Sequence, residues 1–264
     1  ICYCRRMRSH IPITEHIHYV GASDRETDLF EGLWPLPRGV SYNAYIIDDS
    51  KVALIDTVKG NRFEAWLASV REVLAGRDPA YAVVNHMEPD HSGSLRQLIE
   101  IFPGITIVGN RKTAEFLDSL YGIRENVKIV GDGESLDLGM HKLSFHFMPM
   151  VHWPESMATY ESTNKVLFSN DAFGGFGAPG GGIFDDEVDV SFFEDEILRY
   201  FSNIVGKYSQ MVLKAIDKLG SLEIGVIAPS HGPVWRKNPN WIVERYRRWS
   251  AHEAEEGVVV AYAS

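Results

Sequence analysis

Between a strand-like run at Tyr81 to Val84 and an apolar helical pattern from Gly93, the chain places His86, Glu88, Asp90 and His91, four potential metal ligands within six residues. A strand-to-helix loop presents side chains at the carboxyl edge of a sheet, where α/β proteins commonly build sites. Taken singly, Asp90 reads as a helix cap and His86 as a satisfied core histidine. As a set they read differently, because packing two imidazoles and two carboxylates together is costly unless a cation compensates their desolvation. Three further residues share one local pattern, a His or Asp directly after an apolar strand-like run: His152 after Phe145 to Val151, Asp171 after Val166 to Asn170, and His231 after Ile224 to Ser230. Strand ends on one sheet edge can converge across large sequence separations.

The order of elements around these residues limits the architecture. His16 to Val20, Tyr42 to Ile47 and Lys51 to Asp56 are short, aromatic and β-branched, and predict a β-meander. Asn61 to Ala75 then carries Phe63, Trp66, Leu67, Val70, Val73 and Leu74 at helical spacing, and Ala80 to Val84 returns to strand. The alternation continues through helix 93–101, strand 105–108, helix 112–120 and strand 127–130. A second β-rich stretch covers 142–148, 157–160 and 165–168, and is followed by the glycine-rich loop Gly174 to Gly182. Helical segments over 194–219, a strand 224–228 and a helix 241–253 complete the pattern. The sequence β-rich, αβ, β-rich, αβ predicts two similar halves packed sheet to sheet with helices outside, an α/β layered fold. No linker rich in Pro, Ser or Gly divides it, so one domain is expected.

A chain of 264 residues can bury a large core. Its net charge of −10, without acidic blocks, argues against nucleic acid or an anionic membrane as principal partner. The two cysteines, Cys2 and Cys4, leave no disulfide framework and no thiolate metal site in the body, which fits a reducing cytoplasm. No apolar run approaches the roughly 20 residues of a membrane span. Residues 1–10 read as a basic leader or tag-like segment outside the fold.

The pattern H-x-[EH]-x-D-H with a distant His, a distant Asp and a final His before Gly resembles the metallo-β-lactamase superfamily, and Glu88 at the second position is similar to the flavodiiron proteins rather than the hydrolytic zinc members. The resemblance extends through Trp34-Pro35, Arg38 to Tyr45, His152 to Ser156 and Ser230 to Pro233. It implies an αββα sandwich over residues 11–254, with one iron on His86, Glu88 and His152, a second on Asp90, His91 and His231, and Asp171 and an oxo or hydroxo group bridging them. In one branch of the family the histidine corresponding to His91 is turned off the metal. The chemistry agrees with iron, since three carboxylates make the site harder and more anionic than a histidine-rich zinc site. The family also places a tyrosine near the metals. Tyr200, within Arg199 to Ile204, resembles it as a catalytic group, a helix-packing aromatic being the plainer alternative. The glycine-rich loop either allows close approach to a gas-binding pocket or is an unspecific flexible surface loop.

Residues 255–264 read as a linker and a buried strand, similar to the first strand of the flavodoxin domain that flavodiiron proteins append. No phosphate cradle follows any strand, so FMN is expected only in a missing domain or a partner. The resemblance implies a homodimeric oxidoreductase that reduces O2 to water or NO to nitrous oxide with electrons from a rubredoxin or flavodoxin-like donor. A diiron O2 sensor and a zinc-dependent hydrolase are the alternatives, the latter disfavoured by Glu88.

Overall fold

The structure, a computed structural model, describes residues 10–253. The leader reading of residues 1–9 and the linker and strand reading of 255–264 lie outside the described residues. A seven-stranded sheet runs, in spatial order, Ile11–Pro12, Ile17–Tyr19, Tyr45–Ile47, Ala53–Ile55, Tyr81–Val83, Thr106–Gly109 and Val127–Ile129. Its first four strands pair antiparallel and the rest parallel. A five-stranded sheet follows, in the order Ser135–Asp137, Lys142–Phe147, Met157–Glu161, Val166–Asn170 and Val226–Pro229, with only the last pair parallel.

Alternation along each strand explains the layering. Tyr45, Ile47, Ala53, Ile55 and Val83 of the first sheet share one apolar cluster with Leu143, Phe145, Met157, Val166 and Phe168 of the second, which is the inter-sheet core. The intervening Ile46, Leu54, Ala82 and Ile107 turn the other way and join a cluster containing Trp66, Leu67 and Val70 of the helix Phe63–Leu74. Leu167 and Ile227 likewise turn outward, into the cluster that holds Ile197, Ile216 and Ile242 of the helices Val190–Tyr200, Ser209–Leu219 and Pro239–Ser250. The molecule is an αββα sandwich.

Departures from the periodicity have local causes. The helix expected from Gly93 starts at Leu95, because Pro89–Ser92 forms a turn of its own with Pro in its first position. The helix expected over 112–120 runs over Arg111–Phe116 and widens into a π-helical turn at Leu117–Tyr121, closed by Gly122 at φ 67°. The span 194–219 is two α-helices separated by a π-helical turn, Phe201–Val205, and a 3-10 turn, Gly206–Tyr208. Short strands Ala22–Asp24, Leu29–Phe30 and Trp34–Pro35 were not foreshadowed by hydrophobic pattern. Two- and three-residue strands carry too few positions to show a period.

Candidate metal centre

Three loop systems meet at one edge of the sandwich. The first leaves strand Tyr81–Val83 as Asn85 to Ser92. Asn85 anchors it to both sheets: its backbone N–H and its side-chain amide donate to Asp56 Oδ1 and Oδ2 at 2.7 and 3.0 Å, and its Oδ1 accepts from Thr159 Oγ1 at 2.7 Å. The following turn is held by Ser92 Oγ donating to the Met87 carbonyl and by Thr57 Oγ1 donating to the His91 carbonyl, at 2.7 and 2.6 Å. Glu88 occupies the N-cap position without a side-chain capping bond, and Asp90 lies inside the helical turn, so the capping alternative for Asp90 does not hold.

The second system is the turn before strand Met157–Glu161, which presents His152. The third is set by the parallel pair Val166–Asn170 and Val226–Pro229, whose ends lie side by side with Asn170 opposite Pro229. Asp171 and His231 emerge from these two neighbouring ends. The His231 turn is pinned by the first sheet's flank: Ser41 O accepts from His231 Nδ1 at 2.7 Å, Ser41 Oγ accepts from the Gly232 N–H at 2.9 Å, and Asn43 Nδ2 donates to the Pro229 and Gly232 carbonyls.

All seven predicted side chains converge. His86 Nε2 and His152 Nε2 lie 3.2 and 3.0 Å from Glu88 Oε2, and 3.3 and 3.1 Å from Asp171 Oδ2. On the other side, His91 Nε2 and His231 Nε2 lie 3.3 Å from the two Asp90 oxygens, and 3.2 and 3.5 Å from Asp171 Oδ1. Potential ligand atoms thus fall into two sets, His86, Glu88, His152 and Asp171, and Asp90, His91 and His231, with all atoms in each within 4.8 Å of one another. His91 points into the cluster rather than away from it.

Burial makes this arrangement expensive as it stands. Exposure is 1% or less at His86, His91, Asp171 and His231, and 7–9% at Glu88, Asp90 and His152. Among the described residues, both oxygens of Asp90 and of Asp171, His91 Nε2 and His231 Nε2 make no hydrogen bond. Buried polar atoms are otherwise nearly always bonded, so orphan donors and acceptors of this kind, facing one another in two sets, fit cations. Burial alone would raise the Asp171 carboxyl, yet the His91 and His86 imidazoles hold it well below the usual carboxylate range. Burial likewise opposes charge on His91, but Asp90 and Asp171 beside it raise its pKa to about 9. Protons therefore compete with metal for this pocket.

Tyr200 is fully buried beside the second set, its ring centroid 5.5 Å from that of His231 and its hydroxyl without a well-formed hydrogen bond among the described residues. Burial, and then the charge of Asp171, raises its pKa well above that of an ordinary tyrosine. A cleft of about 550 Å³, walled by Phe30, Tyr42 and Trp153, opens onto Glu88, Asp90 and His152, the three least buried members of the cluster. The glycine-rich loop is not a flexible surface feature at its start. Residues 171–178 are buried, and a Cβ on Gly174 would come within 3.1 Å of the Asp171 carbonyl and 3.2 Å of the His231 carbonyl. Its glycines let it pack beneath the turns that carry Asp171 and His231.

Sequence reasoning passed over Asp56, Asn85 and Thr159, which hold the first loop, and Ser41 and Asn43, which hold the last. Their partners lie 29 to 191 residues away, beyond any local pattern.

The layered fold and the buried His and carboxylate cluster at its edge define a metallo-β-lactamase-like protein. Residues 40–232 match the family model described as ODP family beta lactamase, and the chain belongs to that family. It is 37% identical over 263 residues to a nitric oxide reductase of Moorella thermoacetica, covering 97% of this chain and 65% of that protein. Among solved structures it resembles the flavodiiron protein of Giardia intestinalis, with a TM-score of 0.88 and 34% identity over 92% of this chain and 60% of that one. The rubredoxin oxygen:oxidoreductase of Desulfovibrio gigas gives a TM-score of 0.88 and 32% identity, over 92% and 61%. The chain spans less than two thirds of each of these relatives.

Proposed function

We propose that the two sets hold two iron ions, with Asp171 offering one carboxylate oxygen to each, and that the chain is the catalytic core of a reductase of O2 or NO. One observation carries this reading. Asp171 Oδ2 faces His86 and His152 while Asp171 Oδ1 faces His91 and His231, so a single buried carboxylate stands between two otherwise separate ligand sets. Three carboxylates among seven ligands suit a hard metal such as iron better than zinc. Two adjacent irons would supply electrons to a small ligand and share the charge that builds on it.

The chain's own residues do the rest. Glu88, Asp90 and His152 border the cleft, so substrate arrives on that side. The aromatic rings of Phe30, Tyr42 and Trp153 line part of the cleft and Glu31, Lys59, Asn203 and Lys207 the rest, so substrate passes apolar and charged groups on its way to the cluster. Tyr200 keeps its hydroxyl proton at neutral pH and offers an O–H donor beside Asp171. The relatives named nitric oxide reductase and rubredoxin oxygen:oxidoreductase support both gases as substrates and an external flavin or rubredoxin-type electron donor. A homodimer belongs to the same reading.

Iron analysis with electron paramagnetic resonance of the partly reduced protein tests it. Two irons per chain and a coupled mixed-valence signal are expected, together with consumption of O2 or NO when a chemical reductant replaces the donor. A preparation that binds only zinc and hydrolyses a model ester would overturn the proposal in favour of a hydrolase.

A further inference from the structure

Glu155 is fully buried in the same turn that presents His152, and it reaches back to the loop that carries His86. Its Oε1 lies 2.8 Å from His86 Nδ1 and accepts the Met87 N–H at 2.9 Å. Its backbone carbonyl accepts from Asn110 Nδ2 at 2.5 Å, and Asn110 Oδ1 in turn caps the helix Arg111–Phe116. The backbone of Glu155 is thus fixed by a helix start and its Oε1 is aimed at the imidazole, while its Oε2 makes no hydrogen bond among the described residues. Two of the other histidines are backed differently. His231 Nδ1 meets the neutral Ser41 carbonyl at 2.7 Å, and His91 Nδ1 makes no hydrogen bond among the described residues.

A carboxylate accepting from Nδ1 forces the proton onto that nitrogen, leaves the Nε2 lone pair for a metal, and makes the imidazole a stronger donor. We propose that Glu155 is a positioning residue that acts through His86, so that the ion held by His86, Glu88, His152 and Asp171 Oδ2 binds more tightly than the ion held by Asp90, His91, His231 and Asp171 Oδ1. The inference rests on the two-metal reading above. It also gives the turn at 151–156 two roles, since the segment that supplies one ligand orients another from a loop 69 residues away.

Zinc titration of the metal-free chain, followed by competition with a chromophoric chelator, reads this without turnover. Wild type is expected to bind two ions in two resolved steps. Glu155→Gln keeps an acceptor for both N–H groups but removes the charge, and should weaken the tighter step about 10-fold while leaving the weaker one at its wild-type value; Glu155→Ala should weaken the tighter step by about 100-fold. A merely structural role would move both steps together, and that result, or Glu155→Gln binding both ions as wild type does, overturns the role of Glu155. If Glu155→Ala does not fold, the Gln variant decides. A wild-type chain that takes up fewer than two ions overturns the two-metal reading and this inference with it.

Discussion

At the scale of single residues, the cluster shows how burial turns ordinary side chains into a site. A tyrosine hydroxyl in an apolar interior normally finds a partner, since leaving it unmade costs about 1–3 kcal/mol. Tyr200 has none, while its ring packs against Phe176 and His231. Removing the hydroxyl therefore removes a buried polar group that sits beside the Asp171 charge and makes no well-formed hydrogen bond. Tyr200→Phe is expected to keep or raise the melting temperature of the metal-free protein while lowering NO or O2 reduction by about 10-fold or more, the loss typical of a donor aimed at developing charge. Calorimetry and a gas electrode check the two halves separately. A variant with lower stability and unchanged turnover would assign Tyr200 to packing instead.

At the scale of elements, the turns matter as much as the strands. Asp49 follows strand Tyr45–Ile47 of the first sheet and accepts the His141 N–H at 2.7 Å, the Met140 N–H at 3.2 Å and His141 Nδ1 at 2.7 Å, from the turn before strand Lys142–Phe147 of the second. One carboxylate thereby ties the two sheets at their edge. Burial would raise its pKa, but the Ser50 and His141 N–H groups outweigh it and bring it to about 2. A folded pKa below the unfolded value of about 3.9 means the stabilisation is fully present above that value and is lost as pH falls through about 2. Asp49→Asn is expected to lower stability at pH 7 and to flatten the stability curve between pH 4 and pH 2, measured by urea unfolding at each pH. A variant whose acid limb matches wild type in slope would show that Asp49 contributes nothing to acid sensitivity.

At the scale of the whole molecule, the cluster sits where both sheets and three loop systems meet, so metal and fold are linked. Three carboxylates placed together in the interior repel one another without cations, and metal that binds only the folded state stabilises it by mass action. With metal at about 1,000 times its dissociation constant this amounts to about 4 kcal/mol. Chelation is expected to lower the melting temperature by on the order of 10 °C for a chain of this size, reversed by returning iron or zinc. A melting temperature indifferent to chelation would mean the ions are not part of the fold's stability.

Much of this was legible in order. The spacing of His86, Glu88, Asp90 and His91 is set within one strand-to-helix loop, and the apolar periods of Phe63–Leu74 and Lys142–Phe147 follow from each element burying one face, so they show in the chain itself. Composition and pattern likewise point to a layered α/β fold, because a strand buried on both faces must be apolar throughout. The sequence could not show through spacing, and implies only through the family resemblance, that Asp171 stands between the two candidate ligand sets. That follows from the parallel register of Val166–Asn170 with Val226–Pro229, and from hydrogen bonds such as His231 to Ser41 across 190 residues. Nor could it assign Glu155, whose role exists only because one turn folds back onto another. Ligand identity is a property of residue type and local spacing, whereas which oxygen faces which imidazole is fixed by the packing of two sheets, and only the tertiary structure decides it.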